Sequence, residues 1–220
     1  MDILWAARFQ LLLGLSQTVR ITLLSLLVAG GLSFLFGIPA SLRSRPLRWA
    51  AVAYIELFRG VALVVQLFWL FFVLPFFGIE LAPLTTAVLG LGLCNGAYGA
   101  EIVRGAIAAV PAGQREAAAS LGLGPAATLW RVVLPQALPA TLAPFNNQAI
   151  ELLKATALVS LITIPDLAFQ AQTLRQTTMR TAPVFLLVLA VYFVLAQVLN
   201  LLFRIAEPIA GRGLGRGGVP

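Results

Sequence analysis

The sequence predicts an all-helical integral membrane protein. Of its 220 residues, 60% are hydrophobic and only 10% are charged, whereas a soluble domain carries about 25% charged residues. The mean hydropathy is +0.95. The apolar runs reach about 20 residues, the length of a membrane-spanning helix, and do not alternate with polar positions as barrel strands do. We therefore expect about five transmembrane helices.

The first part of the chain predicts an interfacial helix and one span. Residues 1–17 contain a tryptophan and an arginine that suit the headgroup region, so we expect a short helix there. The first span follows at residues 18–42 and ends at a group of arginines. Residues 47–60 mix charged and apolar positions, which favours a segment running along the membrane edge.

Two further spans are predicted before a polar segment. The second covers residues 61–77 and the third residues 84–108, joined by a short loop without positive charge. In the third span, Gly92 and Gly96 form a small-xxx-small pair that allows another helix to approach closely. Residues 18–110 thus hold three spans.

The remainder of the chain predicts a water-facing segment, two spans and a tail. Residues 111–136 face water, and spans four and five follow at 137–164, interrupted by Pro139 and Pro144, and at 183–206. These two spans make up residues 137–206, with a polar loop between them. Residues 207–220 are rich in glycine and arginine and predict a flexible tail. All segments together form a single transmembrane domain.

Arginine placement predicts the orientation, because five spans put the termini on opposite sides. Positive residues collect in short cytoplasmic loops. One side would hold Arg43, Arg45, Arg48, Arg59, Arg104, Arg115, Arg131, Arg204, Arg212 and Arg216. The other side would hold Arg8, Arg175 and Arg180. We therefore expect the amino terminus outside, and the carboxyl terminus and residues 111–136 in the cytoplasm.

Residue usage excludes several functions. The formal charge is +7, but the arginines lie between apolar runs and form no tail that would indicate nucleic-acid binding. There is no histidine, and the one cysteine, Cys94, excludes an intrachain disulfide. The one lysine, Lys154, lacks the glycines of a P-loop. We expect no catalytic residue, no metal and no cofactor bound by this chain.

The segment from Pro111 to Pro135 has the pattern of a short helix, a glycine elbow and a second helix. Glu116, Ala117 and Ala118 favour a helix, and Gly122 suits the left-handed residue that ends one. Proline after Gly124 is tolerated at the first position of a new helix.

This spacing resembles the EAA loop in the membrane subunits of ATP-binding-cassette importers. The family pattern is Glu-Ala-Ala, three residues, Gly, nine residues, an aliphatic residue, any residue and Leu-Pro. Here Glu116–Ala118, Gly122, Val132 and Leu134-Pro135 match every interval. The alternative is an ordinary connector between two helices, in which Glu116 is a helical surface charge. The resemblance implies docking on an ATPase by Arg115, Glu116, Ala117, Ala118 and Gly122.

Further motifs resemble the polar amino-acid importers, the histidine/glutamine permease family. They include Glu56–Gly60, Arg104–Ile107 and Leu153–Thr156. Within that branch, residues 151–172 are similar to ectoine/hydroxyectoine permease subunits. The chain departs at Val61-Ala62, where many relatives have Thr-Pro, and at Ala155, where many have an acidic or polar residue. The second departure leaves Glu151 as the nearby carboxylate, which suits a compact zwitterion.

Polar residues inside the spans are candidates for a solute pathway. Glu151 and Lys154 are three residues apart and share a helix face with Asn147; charges there line an aqueous path or pair with one another. Gln66 and Asn95 either line the same path or form interhelical hydrogen bonds. Glu101 and Arg104 predict a cytoplasmic gate or a structural ion pair.

By this resemblance the chain is a non-catalytic permease subunit in a bacterial inner membrane. It would couple ATPase motion to alternating access for a small polar or zwitterionic solute, an amino acid or an ectoine-like compound. Its implied partners are a second permease subunit, with a homologous heterodimer favoured over a homodimer, two cytoplasmic ATPases that bind ATP and Mg²⁺, and an extracytoplasmic solute-binding protein. The alternatives are an ion-coupled secondary transporter or channel, and a membrane enzyme, for which the chain lacks a nucleophile–base set.

Overall fold

The computed structural model describes residues 8–42 and 44–210, with the side chains of 207–210 left out. All regular structure in these ranges is helical, which confirms the predicted all-α class. The helices are α1 (Arg8–Ser41), α2 (Arg45–Gly60), α3 (Leu63–Phe68), α4 (Pro83–Ala109), α5 (Ala112–Ser120), α6 (Pro125–Thr128), α7 (Leu134–Ala155), α8 (Leu167–Thr178) and α9 (Thr181–Ala210). The predicted tail beyond residue 210 and the predicted helix before residue 8 lie outside the described residues.

Helix length and composition allow up to five membrane spans among the described residues. Helices α1, α4 and α9 are each long and apolar enough to cross a bilayer. The other two candidates are bent pairs: α2 with Leu63–Phe77, bent by 100°, and Pro125–Ile162 with α8, bent by 56°. Counting each bent pair as one span gives the predicted number.

Helix α1 runs without a break from Arg8 to Ser41, across the boundary that we predicted at residue 17. Its 34 residues span about 50 Å, whereas the hydrocarbon core of a bilayer is about 30 Å thick. One end therefore extends beyond the hydrocarbon, although it belongs to the same helix as the first span.

Helix α7 continues through Pro139 and Pro144, where we predicted interruptions. Each proline removes one main-chain hydrogen bond, but a full break inside the bilayer would leave several backbone groups without partners. A π-helical turn, Leu129–Val133, joins α6 to α7, and a 3-10 turn, Thr156–Ile162, extends α7. The result is one helical unit from Pro125 to Ile162.

The centre of the protein is α4, packed tightly against α1. A Cβ atom added at Gly92 would lie 2.6 Å from Cγ1 of Val28, and one added at Gly96 would lie 2.7 Å from Cβ of Leu32. Both distances are shorter than side chains permit, so these glycines let the two backbones approach. In contrast, α9 is peripheral, with only 11% of its most apolar stretch buried within the chain.

Candidate functional site

The segment between the third and fourth spans has the predicted helix, glycine elbow and second helix. Helix α5 ends at Ser120 with Leu121 as its C-cap, and Gly122 adopts the left-handed conformation with φ of +75°. The main-chain N–H of Leu123 donates to the carbonyl of Ala118 at 3.0 Å, and that of Gly122 donates to Ala119 at 2.9 Å. This pair of bonds is a Schellman motif, which needs a residue tolerant of positive φ at position 122.

Helix α5 is tied to the two neighbouring spans on its inner side. Ala118 is buried, and the Arg115 guanidinium donates from Nη2 to the carbonyl oxygen of Ile107, in the last turn of α4, at 2.7 Å. Gln136, at the start of α7, donates from Nε2 to Oε1 of Gln114 at 3.4 Å. The side chain of Arg115 thus bonds to its own chain, a contact that its sequence position did not indicate.

The outer side of α5 is open. Glu116 and Ala117 are exposed, and no basic side chain that the structure describes forms an ion pair with Glu116. Leu121 is 81% exposed, and Trp130 in the following turn is 63% exposed. Sequence reasoning missed both apolar residues, although a large apolar residue inside a water-facing segment is a signal for a contact surface. The exposed surface of α5, formed by Glu116, Ala117 and Leu121, can receive another protein.

Helix α7 presents a polar face made of Asn147, Glu151 and Lys154. Lys154 Nζ lies 2.8 Å from Glu151 Oε1, and the two side chains are 60% and 65% exposed. Asn147 is exposed one turn earlier. Charged groups inside a span face water or protein rather than lipid. This α7 polar face must therefore border an aqueous path or another subunit, and the structure brings these three predicted residues together.

Asn95 forms an interhelical hydrogen bond, which is one of the two roles that the sequence predicts for it. It lies on α4 and accepts at Oδ1 from Nε2 of Gln148, on α7, at 2.6 Å, and donates from Nδ2 to the carbonyl of Leu91 at 2.8 Å. Both side chains line a cavity of about 200 Å³ between α1, α4, α7 and α9, whose wall is otherwise mostly apolar. Sequence reasoning missed Gln148, which directly follows Asn146 and Asn147.

Gln66 stabilises the bend between α2 and α3. It is 8% exposed, and its Nε2 donates to the carbonyl oxygens of Phe58 and Val61, at 2.8 Å each. These carbonyls lie where α2 ends and the chain turns by 100°, so they lack helical partners. The amide donors of Gln66 are occupied by this bend.

Glu101 and Arg104 form an ion pair within α4. The Arg104 Nε donates to Glu101 Oε2 at 2.9 Å, and its Nη2 donates to Oε1. Arg59 of α2 makes a contact between helices at this level instead: its guanidinium carbon lies 5.3 Å from the centre of the Tyr98 ring on α4. This cation–π contact was not indicated by local spacing, since Arg59 and Tyr98 are far apart in sequence.

A buried acidic residue holds the junction of α8 with α1. Asp166 is fully buried and caps α8, accepting at Oδ1 from the N–H of Phe169 at 2.9 Å. The N–H of Leu167 donates to Oγ1 of Thr18, on α1, at 3.1 Å. The sequence carries the cap signal, an aspartate just before a helix, but not its burial.

Comparison with known proteins identifies similar chains over most of the length. Residues 32–210 match the family model described as "Binding-protein-dependent transport system inner membrane component". The chain is 45% identical over 204 residues to the probable amino-acid ABC transporter permease protein y4tF of Sinorhizobium fredii, covering 90% of this chain and 86% of that protein. A second S. fredii protein described in the same way, y4tG, is 36% identical, with coverage of 90% and 85%.

Similarity extends to a glutamine permease and to a solved transporter. The glutamine transport system permease protein GlnP of Escherichia coli is 34% identical over 208 residues, covering 93% of this chain and 94% of that protein. A structure titled "Crystal structure of an amino acid ABC transporter with histidines" superposes with a TM-score of 0.84 at 32% identity. It covers 94% of this chain and 98% of that one.

Proposed function

The chain belongs to the family of binding-protein-dependent transport system inner membrane components, and from this premise we propose that it couples ATP hydrolysis by a partner to alternating access for a small polar or zwitterionic solute. It is a multi-pass inner-membrane permease component of the amino-acid ABC transporter type, with the type I importer fold. In this role it is a transport component and not a catalyst.

The coupling step starts at the exposed surface of α5. An ATPase subunit docks there, with Glu116 facing a basic residue of the partner and Ala117 allowing close approach of the two backbones. Leu121 adds apolar contact area, which is the main favourable term in protein association. ATP and Mg²⁺ are bound by that partner, and no nucleic acid takes part.

The hydrogen bonds that join α5 to α4 and α7 are the observation that supports this proposal. The Arg115–Ile107 bond joins α5 to α4, and the Gln114–Gln136 contact joins it to α7. A displacement of α5 by the ATPases therefore reaches both spans. Because packed helices shift as rigid bodies between alternative arrangements, such a displacement turns the pathway between inward- and outward-facing states.

Helix α7 transmits this motion to the polar face. The helical unit from Pro125 to Ile162 is continuous, so its end next to α5 and the Glu151–Lys154 pair move together. The pair offers a carboxylate for an ammonium group and an ammonium for a carboxylate. We expect it to open when a zwitterion arrives, with each charge taking one end of the solute. Glu101 and Arg104 then act as a structural pair near the cytoplasmic end.

Amino acids are the favoured solutes. GlnP is described as a glutamine permease, and y4tF and y4tG as probable amino-acid permeases. Ectoine and hydroxyectoine stay predictions that rest on residues 151–172, and both are compact zwitterions that the same pair of charges would fit.

The complete transporter contains four further subunits. Two ATPases and a solute-binding protein follow from the family, and a second permease subunit covers the α7 polar face. Because y4tF and y4tG come from one organism and both resemble this chain, a homologous heterodimer is favoured over a homodimer. The amino terminus lies on the extracytoplasmic side of the membrane, and the carboxyl terminus lies in the cytoplasm.

Reconstitution tests this function. The permease, its co-purifying ATPase and its binding protein are placed in liposomes, and uptake and ATP hydrolysis are measured with L-glutamine, L-cystine, ectoine and hydroxyectoine. We expect uptake that requires ATP, and ATP hydrolysis that rises with the transported solute. Uptake driven by an ion gradient without the ATPase would instead establish a secondary transporter.

A further inference from the structure

A second cavity lies between α7 and α9 and contains several hydrogen-bond donors. Its volume is about 220 Å³, and its polar wall consists of Asn146 and Asn147 of α7 and Asn200 and Arg204 of α9. Asn146 Nδ2 donates to Asn200 Oδ1 at 2.5 Å, which ties the two helices together along one wall. This α7–α9 cavity was not predicted from the sequence.

Most of the polar groups left over in the α7–α9 cavity are donors, and the amide oxygens of Asn146, which is buried without a hydrogen-bond partner, and of Asn147 are the acceptors. The amide groups of Asn147 and Asn200 donate to no atom that the structure describes. No acidic side chain in the described part of the chain pairs with Arg204. A guanidinium supplies up to five N–H groups and each amide supplies two. The positive charge of Arg204 and the excess of donors favour a ligand that carries negative charge and accepts hydrogen bonds, such as a carboxylate.

The α7–α9 cavity and the α7 polar face share a residue. Asn147 belongs to both, because it lines the cavity and lies four residues before Glu151, one helical turn away on the same face. Because charged groups inside a span avoid lipid, the exposed Glu151–Lys154 pair indicates that this side faces water or protein. A solute leaving the pair therefore meets Asn147 next and then Arg204.

We propose that the α7–α9 cavity is an exit subsite for the carboxylate of the transported solute. Arg204 provides the positive charge, and the amides of Asn147 and Asn200 provide further donors. The carboxylate passes from Lys154 to Arg204 on its way to the cytoplasm. The statement that the bound anion is the carboxylate of the solute rests on the proposed import function. The preference of the cavity for anions does not depend on that function.

The charge preference of the cavity can be measured by thiol labelling of the assembled transporter. In a Cys94→Ala background, Ala143→Cys places a thiol in the cavity wall. Its rates of reaction are compared for an anionic and a cationic methanethiosulfonate, the sulfonatoethyl and trimethylammonioethyl reagents. We expect Arg204→Gln to lower the anion-to-cation rate ratio by about tenfold, because removing one nearby charge disfavours the anionic reagent and favours the cationic one. Arg204→Lys should keep the ratio.

Two controls make the labelling specific. Arg175→Gln, on the exposed side of α8, removes the same charge elsewhere and should leave the ratio unchanged. Sodium acetate should slow the labelling more than sodium chloride of equal ionic strength, whereas acetamide, which has no charge, should not. Asn200→Ala should weaken the protection by acetate, so the test does not depend on one variant folding.

Transport kinetics give the second readout. In proteoliposomes, uptake of the amino acid that the panel above identifies should show a kcat lowered about fivefold by Arg204→Gln, with KM changed less than about twofold, because the binding protein captures the solute. Arg204→Lys should restore kcat. An unchanged labelling ratio in Arg204→Gln, or a thiol that reacts with neither reagent, would overturn the subsite. ATP-driven uptake that is absent in the unsubstituted chain would overturn the import function, and with it the assignment to a solute.

Discussion

Arg115 and Ile107 join the helix α5 to the end of the third span through one hydrogen bond, from the guanidinium Nη2 to the main-chain oxygen, at 2.7 Å. The carbonyl of Ile107 lies in the last turn of α4, where the helix supplies no N–H partner. A cation at a helix carboxyl terminus also interacts favourably with the helix dipole. The contact therefore fixes the position of α5 as well as capping α4.

Removing this bond should separate ATP hydrolysis from transport. We expect Arg115→Gln to lower uptake about fivefold or more, since a charge-assisted hydrogen bond contributes about 1.5–3 kcal/mol. Basal ATP hydrolysis should remain. Arg131→Gln is the matched control, because Arg131 is exposed in the same segment. Equal uptake by the two variants would show that the brace does not transmit motion.

Reversing the charge on the exposed surface of α5 should disturb docking. We expect Glu116→Lys to abolish solute-stimulated ATP hydrolysis, while the affinity of the binding protein for the solute stays the same. Glu80→Lys makes the same change in an exposed loop between the second and third spans and should have little effect. Normal uptake by Glu116→Lys would contradict a role for Glu116 in docking.

A side chain at the glycine elbow should strain the segment. Gly122 has φ of +75°, where a non-glycine residue costs about 1–2 kcal/mol. We expect Gly122→Ala to weaken binding of the ATPase, measured by co-purification, and to lower uptake. Gly113→Ala is the control: it also meets no atom within 4 Å but lacks the positive φ, and it should stabilise α5. Similar losses in both variants would mean that the elbow has no special role.

The Glu151–Lys154 pair should act on transport more than on stability. Because both side chains are largely exposed, breaking the pair should cost less than about 1 kcal/mol of folding free energy. We expect Lys154→Ala to reduce uptake about tenfold while the complex still assembles, as judged by size-exclusion chromatography. The double variant Glu151→Ala/Lys154→Ala completes a mutant cycle. Unchanged transport kinetics in Lys154→Ala would make the pair structural.

Local spacing predicted the features that depend on one helix. The three-residue separation of Glu151 and Lys154 places them on one helix face, and Gly122 after an alanine-rich run ends a helix in any context. The pairing of Asn95 with Gln148 and the contact of Arg59 with Tyr98 depend on how helices rotate against each other, which periodicity along one helix does not specify.

At the prolines of α7 and in the first part of α1, local sequence signals predicted breaks that the surroundings of the helix prevent. Pro139 would end a helix in water, but inside a bilayer the cost of unpaired backbone groups keeps α7 continuous. The continuity of α1 across residue 17 likewise follows from its packing on the beginning of α8, where a Cβ atom at Gly14 would lie 2.9 Å from the carbonyl oxygen of Asp166, the residue before α8. The residues adjacent in sequence reveal neither the bilayer around Pro139 nor the contact of Gly14 with Asp166.

The close approach at Gly92 and Gly96 restricts where the permease can flex. The interface between α1 and α4 leaves no gap for a methyl group. The two helices therefore cannot slide past one another and must move as one rigid body during each transport cycle. Two joints in the described part of the chain are the breaks between Gly60 and Leu63 and between Ile162 and Leu167. Cross-links placed across those breaks would lock the transporter in one state, whereas a cross-link between α1 and α4 would leave it free to turn over.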